Sequence, residues 1–472
     1  PKVPEESAPR DLPSTPQQQE TLPHRRPVGS GFVMLPEVQA EWATNWLQPA
    51  QWLETDEEGT TLNLNAYLGD VRDVNRLTTN AQVNLHGWGA AVGTQKRHFI
   101  GMSAAEVVRT QLTLPGDVLR LPLVGNLNEA SIDGDVLAMQ FDHFRRYTLG
   151  WQAQWTPRWS SGLRVHHLRG FEHARLRDAA LNWSTDPQTF SWEFSGGAVL
   201  ESAGLALLMD TVEGNTAWER GLGAYLEEAG SPGWGMDVGV AFHPNERWSI
   251  ESSFTGRGRI ACEEELSNAQ WEAQPMAFDG VELGAWALDP VAVEDSAAAL
   301  IAEWTHWADA ALTAQVSVES FTSTLPGMWL GQIQRRFPHG HHLQIAVRHA
   351  SAFGTTCSAG ATAQLGRFMQ VNSTYTHGSG VRALGGGFAV RFGGLLVHAS
   401  VDNLLAARVA RVEWGDDRSM WLPLDASRLH ARVGLTWVWG RPRKPEPARL
   451  AAPSTRHPGS SQPVAVSCPD FQ

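Results

Sequence analysis

Lysine is nearly missing from this sequence: 34 of its 37 basic residues are Arg, scattered singly, beside only three Lys. No block of positive charge can track a phosphate backbone, and the net charge is -13, so nucleic acid is not an expected partner. Cysteine is as scarce. Cys262, Cys357 and Cys468 stand far apart with no C-x-x-C pair, which excludes a zinc knuckle or a disulfide framework and leaves room for one pair at most. No run approaches the roughly 18 apolar residues of a membrane-spanning helix, so helical spans are excluded. Charged residues make up 18%, below the roughly 25% of an ordinary soluble chain, which argues against a disordered or coiled-coil protein. The G-x-S-x-G elbow, the phosphate loop and the dinucleotide fingerprint are all lacking, so neither an enzyme nor a cofactor is expected.

What the sequence does contain is alternation of period two, the signature of strands. Trp234, Met236, Val238, Val240 and Phe242 oppose Gly235, Asp237, Gly239 and Ala241. Tyr147, Leu149, Trp151, Ala153 and Trp155 oppose Arg146, Thr148, Gly150, Gln152 and Gln154. The same pattern runs through 248–255, 312–319 and 429–439, and further strands are expected near 80–93, 97–114, 159–169, 173–183, 189–200, 328–337, 341–350, 356–365, 367–376, 381–391 and 395–401. That makes about 16. Helical patterns are confined to connections at 62–73, 116–124, 296–308 and 403–408. Because no helix follows strand after strand, a parallel α/β sheet is excluded and the sheet must be antiparallel.

A half-buried sheet in water alternates too, so the position of the aromatic residues decides. Trp155 and Trp159 bracket the turn Thr156-Pro157-Arg158, and Phe242 and Trp248 bracket Pro244-Asn245-Glu246. In a membrane barrel such rings collect where the apolar band meets the headgroups. Trp151, Trp155, Trp159, Trp234, Phe242, Trp248, Trp437 and Trp439 are the expected interface aromatics. Tight turns at 94–96, 156–158 and 244–246 also contrast with long connections at 115–134, 201–233, 260–311 and 402–428. The expected fold is all-β: one antiparallel transmembrane β-barrel of about 14–16 strands over residues 30–439, with small helical insertions and a long loop insertion at 260–311. Residues 1–29 and 440–472 are Pro-rich, with little to bury, and are expected to be flexible. A signal peptide removed on export is expected before Pro1.

The stretch from Leu114 to Gly170 runs from a long strand through a Leu-Pro segment and Gly-Asn into an aromatic-basic strand before Leu-Gly. Together with VMLPEVQAEW, LTTNAQVNLHGWG and HASVDNLLA, it is similar to a family of uncharacterised Bacteroidota outer-membrane β-barrels. The chain departs from that family where an Asn-Pro-Ala tripeptide is expected, Gln48-Pro49-Ala50 being the nearest match, and in the insertion at 260–311. The resemblance implies a barrel in the outer membrane of a Gram-negative cell. It implies no established activity.

Within a barrel, single charges on the polar strand faces point to the lumen, where they pair, hold water or select solutes. Arg146, Arg164, Glu193, Asp237, Glu251, Glu319, Arg348, Arg391 and Arg432 are the expected lumen-facing charges. His339, His341 and His342 with His349 offer imidazoles, but without an acidic neighbour or helical spacing they read as a solvated loop, and no metal is expected. Asn128, Glu129, Asp133 and Asp135 hold only part of a calcium loop. Trp304, His306 and Trp307 in the insertion are read as packing the loop on the rim, Ser160 or Ser161 with His166 as a chance nucleophile pair, and Cys468-Pro469-Asp470-Phe471 as a weak tail motif. The expected function is an integral outer-membrane barrel acting in transport or export assembly, with outer-membrane lipid and other envelope proteins as partners. The alternative is a non-conducting structural barrel whose long loops bind a partner.

Overall fold

The computed structural model describes residues 31–439 apart from 56–59, 94–96, 125–130, 181, 187, 189–191, 205–229, 279–314, 352–353, 367, 380, 405–408, 415–417 and 424–426. The segments 1–29 and 440–472 and the helical pattern at 296–308 lie outside the described residues. Fourteen strands close a ring. In chain order they are β1 Gly31–Thr44, β2 Val74–Val92, β3 His98–Pro115, β4 Ala138–Gln154, β5 Trp159–Arg177, β6 Ser231–Asn245 and β7 Trp248–Cys262. The second half comprises β8 Met328–Arg336, β9 His342–Ala350, β10 Gly354–Leu365, β11 Met369–Gly378, β12 Val381–Phe392, β13 Leu395–Val401 and β14 Arg428–Trp439. Each pairs antiparallel with the next, and β14 returns to β1 from Gly31↔Trp439 to Ala43↔Arg428. The ring therefore has no free edge, which is what lipid demands of a strand-built wall.

The count of about 16 changes for identifiable reasons: three of those segments drop out and β1, which was not among them, joins the ring. The separate strands expected at 159–169 and 173–183 are one strand, β5, which carries an irregularity at Phe171 opposite His143 and Phe144. The alternating stretches at 189–200 and 312–319 correspond to Trp192–Ala203 and Gln315–Ser317, which stand outside the ring and pair with Asn268–Phe278. Alternation reports a two-faced strand and cannot tell whether the strand belongs to the ring or to an extension above it. Helices form at Leu64–Asp70 and Gly116–Val124. Asn403 and Leu404 are not helical, and 405–408 lies outside the described residues.

Both ends of the ring's chain path, Gly31 and Trp439, lie at one end of the barrel with the short connections 93–97, 155–158, 246–247, 337–341, 366–368 and 393–394. At the other end run the long connections 45–73, 116–137, 178–230, 263–327 and 402–427, with two short ones beside β10 and β12. Strand length follows the same asymmetry. β2 to β5 are 17–19 residues long, well beyond the roughly 9–11 that cross a bilayer, whereas β8 to β13 have 7–12. One wall of the barrel is tall and the other low.

The wall is apolar outside and polar inside. Val38, Leu149, Val165, Trp234, Met236, Val238, Ile250, Ile333, Ile345 and Val433 are exposed, while Glu37, Gln82, Asn84, Asp237, Glu251 and Gln332 are buried. A sheet folded for water buries the opposite face, so this is a transmembrane wall. Val238→Arg, with the arginine placed on the apolar face, should cost about 2–4 kcal/mol if it lies near the bilayer midplane. Urea unfolding in lipid vesicles would measure it, and unchanged stability would mean that this face meets water.

Candidate functional site

A cavity of about 450 Å³ occupies the lumen. Its lower part, toward the short turns, is lined by Phe32, Met34, Phe99, Leu396 and Val438, and Phe32 and Phe99 stack with ring centroids 5.9 Å apart. Above them runs a polar belt built at the closing seam. Pro36, lacking an N–H, sits where β1 carries an extra residue against β14, between Met34 and Glu37, and the shift brings Glu37 opposite Gly434. Glu37 is 1% exposed and accepts from Arg432 Nε at 2.6 Å and Nη2 at 2.8 Å, a two-pronged contact, and from Asn84 Nδ2 at 3.1 Å. His398 Nε2 lies 3.1 Å from its second oxygen. Gly434 makes room for it: a Cβ there would come within 2.5 Å of Glu37 Cγ. The belt continues through Gln82, which donates to Asn84 at 2.7 Å and accepts from Arg146 at 3.0 Å.

Across the lumen Asp237 accepts from the backbone N–H of Gly256 at 2.7 Å, with His166 Nε2 at 3.0 Å and Arg164 at 3.9 Å. Gly256 takes φ +79, a backbone state that glycine adopts freely, and so marks the slip between β6 and β7. Glu251 is buried and accepts from Ser249 at 2.6 Å and Gln332 at 3.1 Å.

Two structures stand at the top of this cavity. On the tall side Val107, Phe144, Leu168, Ile260, Cys262, Phe321 and Leu325 form one buried apolar cluster. Its members Phe321 and Leu325 belong to a strand, Phe321–Leu325, that pairs along the top of β7 and also bonds β4 and β5. Gln140 of β4 donates to Ser323 and to the Thr324 carbonyl at 3.2 Å each, and Arg175 of β5 donates to the Thr322 carbonyl at 3.3 Å. On the low side, Arg348 of β9 donates to Glu41 of β1 at 3.2 Å. β9 is six strands from β1 by the shorter way round a ring of fourteen, so this ion pair bridges nearly opposite walls. Beyond it lies a second cavity of about 250 Å³, bordered by Thr44, Arg72, Arg76, Gly354, Thr356, Ser379, Val381 and Arg428. Both cavities are lined by Glu41, Arg348 and Ala350. They meet at the bridge.

The bridge is part of a larger network. Arg428 lies 3.9 Å from Glu41 and donates to Asp402 at 3.2 Å, and His430 stands 3.5 Å from the same carboxylate. Burial would raise the pKa of Asp402, just past β13, but the His430 hydrogen bond and the charges of His430, Arg428 and Arg348 outweigh it and hold the carboxyl well below its usual range. A carboxylate depressed in this way stabilises the fold above its unfolded pKa and loses that contribution only as pH falls through the lower folded value. The network therefore keeps this charge at neutral pH.

A family profile described as a family of unknown function, DUF5723, matches residues 26–402. The chain belongs to DUF5723. No curated protein matches it. Among solved structures the chain is similar to the Pseudomonas putida toluene transporter TodX, at 8% identity and TM-score 0.39, covering 91% of this chain and 94% of that one. It is similar to a Pseudomonas aeruginosa FadL homologue at 9% identity and TM-score 0.39, covering 91% and 99%. The translocator domain of the autotransporter NalP from Neisseria meningitidis follows at 10% identity and TM-score 0.32, covering 89% and 91%.

In this DUF5723 barrel, Arg146, Arg164, Asp237, Arg348 and Arg432 line the large cavity, and Glu251 is buried in the wall beside it. Two charges expected in the lumen lie elsewhere. Glu193 is exposed on the strand outside the ring, and Glu319 is exposed with its carbonyl bonded to Asn268, whereas Arg391 shares the inner face with its register partner Leu396 and bonds the Gly393 carbonyl at the short-turn end. Trp151, Trp155, Trp159, Phe242, Trp248, Trp437 and Trp439 gather at the short-turn end, joined by Trp88, while Trp234 and Trp329 lie toward the long-loop end.

The histidine loop is dispersed. His349 bonds Thr355, His341 accepts from the Gln364 N–H, and His342 is buried. Trp155 donates to Ser161, and His166 is engaged by Thr148 and Asp237 instead of a serine. Cys262 and Cys357 are both free thiols, one buried and one exposed. Asn128, Glu129, Trp304, His306, Trp307 and Cys468-Pro469-Asp470-Phe471 lie outside the described residues.

Proposed function

We propose that this chain is an outer-membrane barrel that passes a small solute through its lumen and is closed at rest. The observation that carries the reading is the pair of cavities stacked along the lumen and separated by the Glu41–Arg348 bridge. A purely structural barrel has no use for two chambers that share one breakable contact. Short turns and both ends of the ring's chain path would face the periplasm, and the long loops the outside, as in barrels of this class. The Trp-rich short-turn end would then sit at the periplasmic headgroups, where a ring with a polar tip is stabilised.

Fractionation tests location, and uptake by proteoliposomes tests passage. The native protein should remain with outer membranes after carbonate extraction. Vesicles holding the purified protein should take up small radiolabelled solutes faster than empty ones. Recovery of the protein in the soluble fraction, or uptake no faster than in empty vesicles for the wild type and for a variant lacking the bridge, would overturn the proposal.

A further inference from the structure

We infer that the large lumen cavity is a binding site for a compact organic anion, a carboxylate or phosphate with an apolar body. The inference rests on the solute-passage reading and names the class of solute. The chain as a whole carries -13, yet the lining of this cavity has the opposite balance. Six arginines line it. Arg257 is exposed and registers with the outward Met236, which leaves five guanidiniums on the inner face against three carboxylates. Each carboxylate is already held: Glu37 by Arg432, Glu41 by Arg348, and Asp237 by the Gly256 N–H with His166 and Arg164 alongside.

Arg109 and Arg146 remain. Among the described residues neither has a carboxylate within ion-pair distance, and both bond neutral amides. Arg146 donates to Gln82, and Arg109 to the Gln111 side chain at 3.2 Å and 2.7 Å once that amide is oriented to satisfy both groups. The carboxylates that face Arg109, Glu41 and Asp142, are engaged by Arg348 and by His173 with Ser323. Two positive charges inside a cavity walled by protein attract an anion more strongly than they would at an open surface.

The register places an apolar surface beside them. Gln82, the partner of Arg146, pairs with Val107, and Val107 pairs with Phe144. Val107, Phe144, Leu168 and Leu325 all face this cavity from the buried cluster above it. Arg109 stands two residues above Val107 and Arg146 two residues below Phe144, so a solute whose charged end meets either guanidinium can lay its body on these side chains. The volume, about 450 Å³, is within the range of small-molecule sites.

The test is calorimetric titration of the full chain in detergent with hexanoate, hexylammonium and inorganic phosphate, probes that separate charge sign from apolar contact. Hexanoate should bind at least tenfold more tightly than either of the others. Arg109→Gln with Arg146→Gln should remove that preference while the protein keeps its heat-modifiable mobility. Equal binding of hexylammonium, or no binding of hexanoate, overturns the inference on the wild type alone, whatever the variant's folding. Phosphate binding as tightly as hexanoate would overturn the apolar half. Binding in detergent needs no passage, so hexanoate binding without vesicle uptake would sink the transport reading and leave this one standing.

Discussion

Arg348→Ala is expected to raise the conductance of the barrel in planar bilayers by raising the fraction of time it is open. Arg348 and Glu41 reach across the lumen from nearly opposite walls and meet where the two cavities touch. Their side chains are 27% and 13% exposed, so water screens the pair only in part. A hydrogen bond to a charged group in such a setting contributes about 1.5–3 kcal/mol. Since about 1.4 kcal/mol is a factor of ten, the open population should rise roughly 10- to 100-fold. Glu41→Ala should do the same, and the double variant should add little, because two residues sharing one contact are not additive. The apolar cluster over β3 to β7 would stay in place, so the path opened should be a narrow one beside the low wall. Equal conductance of wild type and Arg348→Ala would place the closure elsewhere.

The ring was legible in the sequence wherever a strand turned one face to lipid and the other to the lumen. From Trp234 to Ala241 the apolar residues Trp234, Met236, Val238 and Val240 do face outward, and Gly235, Asp237, Gly239 and Ala241 inward. The extension escaped because the strand Trp192–Ala203 alternates for a different reason: it packs on β5 and on a strand above the ring. The bridge was half visible. Arg348 and Arg432 stood out as charges on alternating strands, but their partners sit on β1, where Glu37, Gln39 and Glu41 alternate with Val38, Ala40 and Trp42 in a segment known only by resemblance. The same period-two count applied there would have found both glutamates. That Glu41 meets β9 could not be read at all, because strand alternation gives the face of a residue and not the wall opposite it.

Arg432→Met is expected to destabilise the closed ring more than any other single substitution considered for the lumen. β14 joins β1 through backbone bonds along its length, and the Glu37–Arg432 pair ties the same seam from inside. Both side chains are nearly inaccessible, 1% and 4% exposed. Removing the guanidinium strands a buried carboxylate with, among the described residues, His398 and Asn84 against it, and breaking a buried pair in this way costs about 3–5 kcal/mol. Gly434→Ala should act on the same seam by a different route, since its new Cβ would press within 2.5 Å of Glu37 Cγ and force the carboxylate away from Arg432. Glu37→Met combined with Arg432→Met separates the two effects. With no charge left unpaired, most of the stability should return, because a buried ion pair replaced by apolar groups of similar volume is often neutral. Thermal loss of heat-modifiable mobility in detergent gives the readout for all three. If Arg432→Met melts like the wild type, the backbone ladder alone holds the seam. If the double variant is as unstable as Arg432→Met, the pair holds β1 in register by its geometry rather than by its charge.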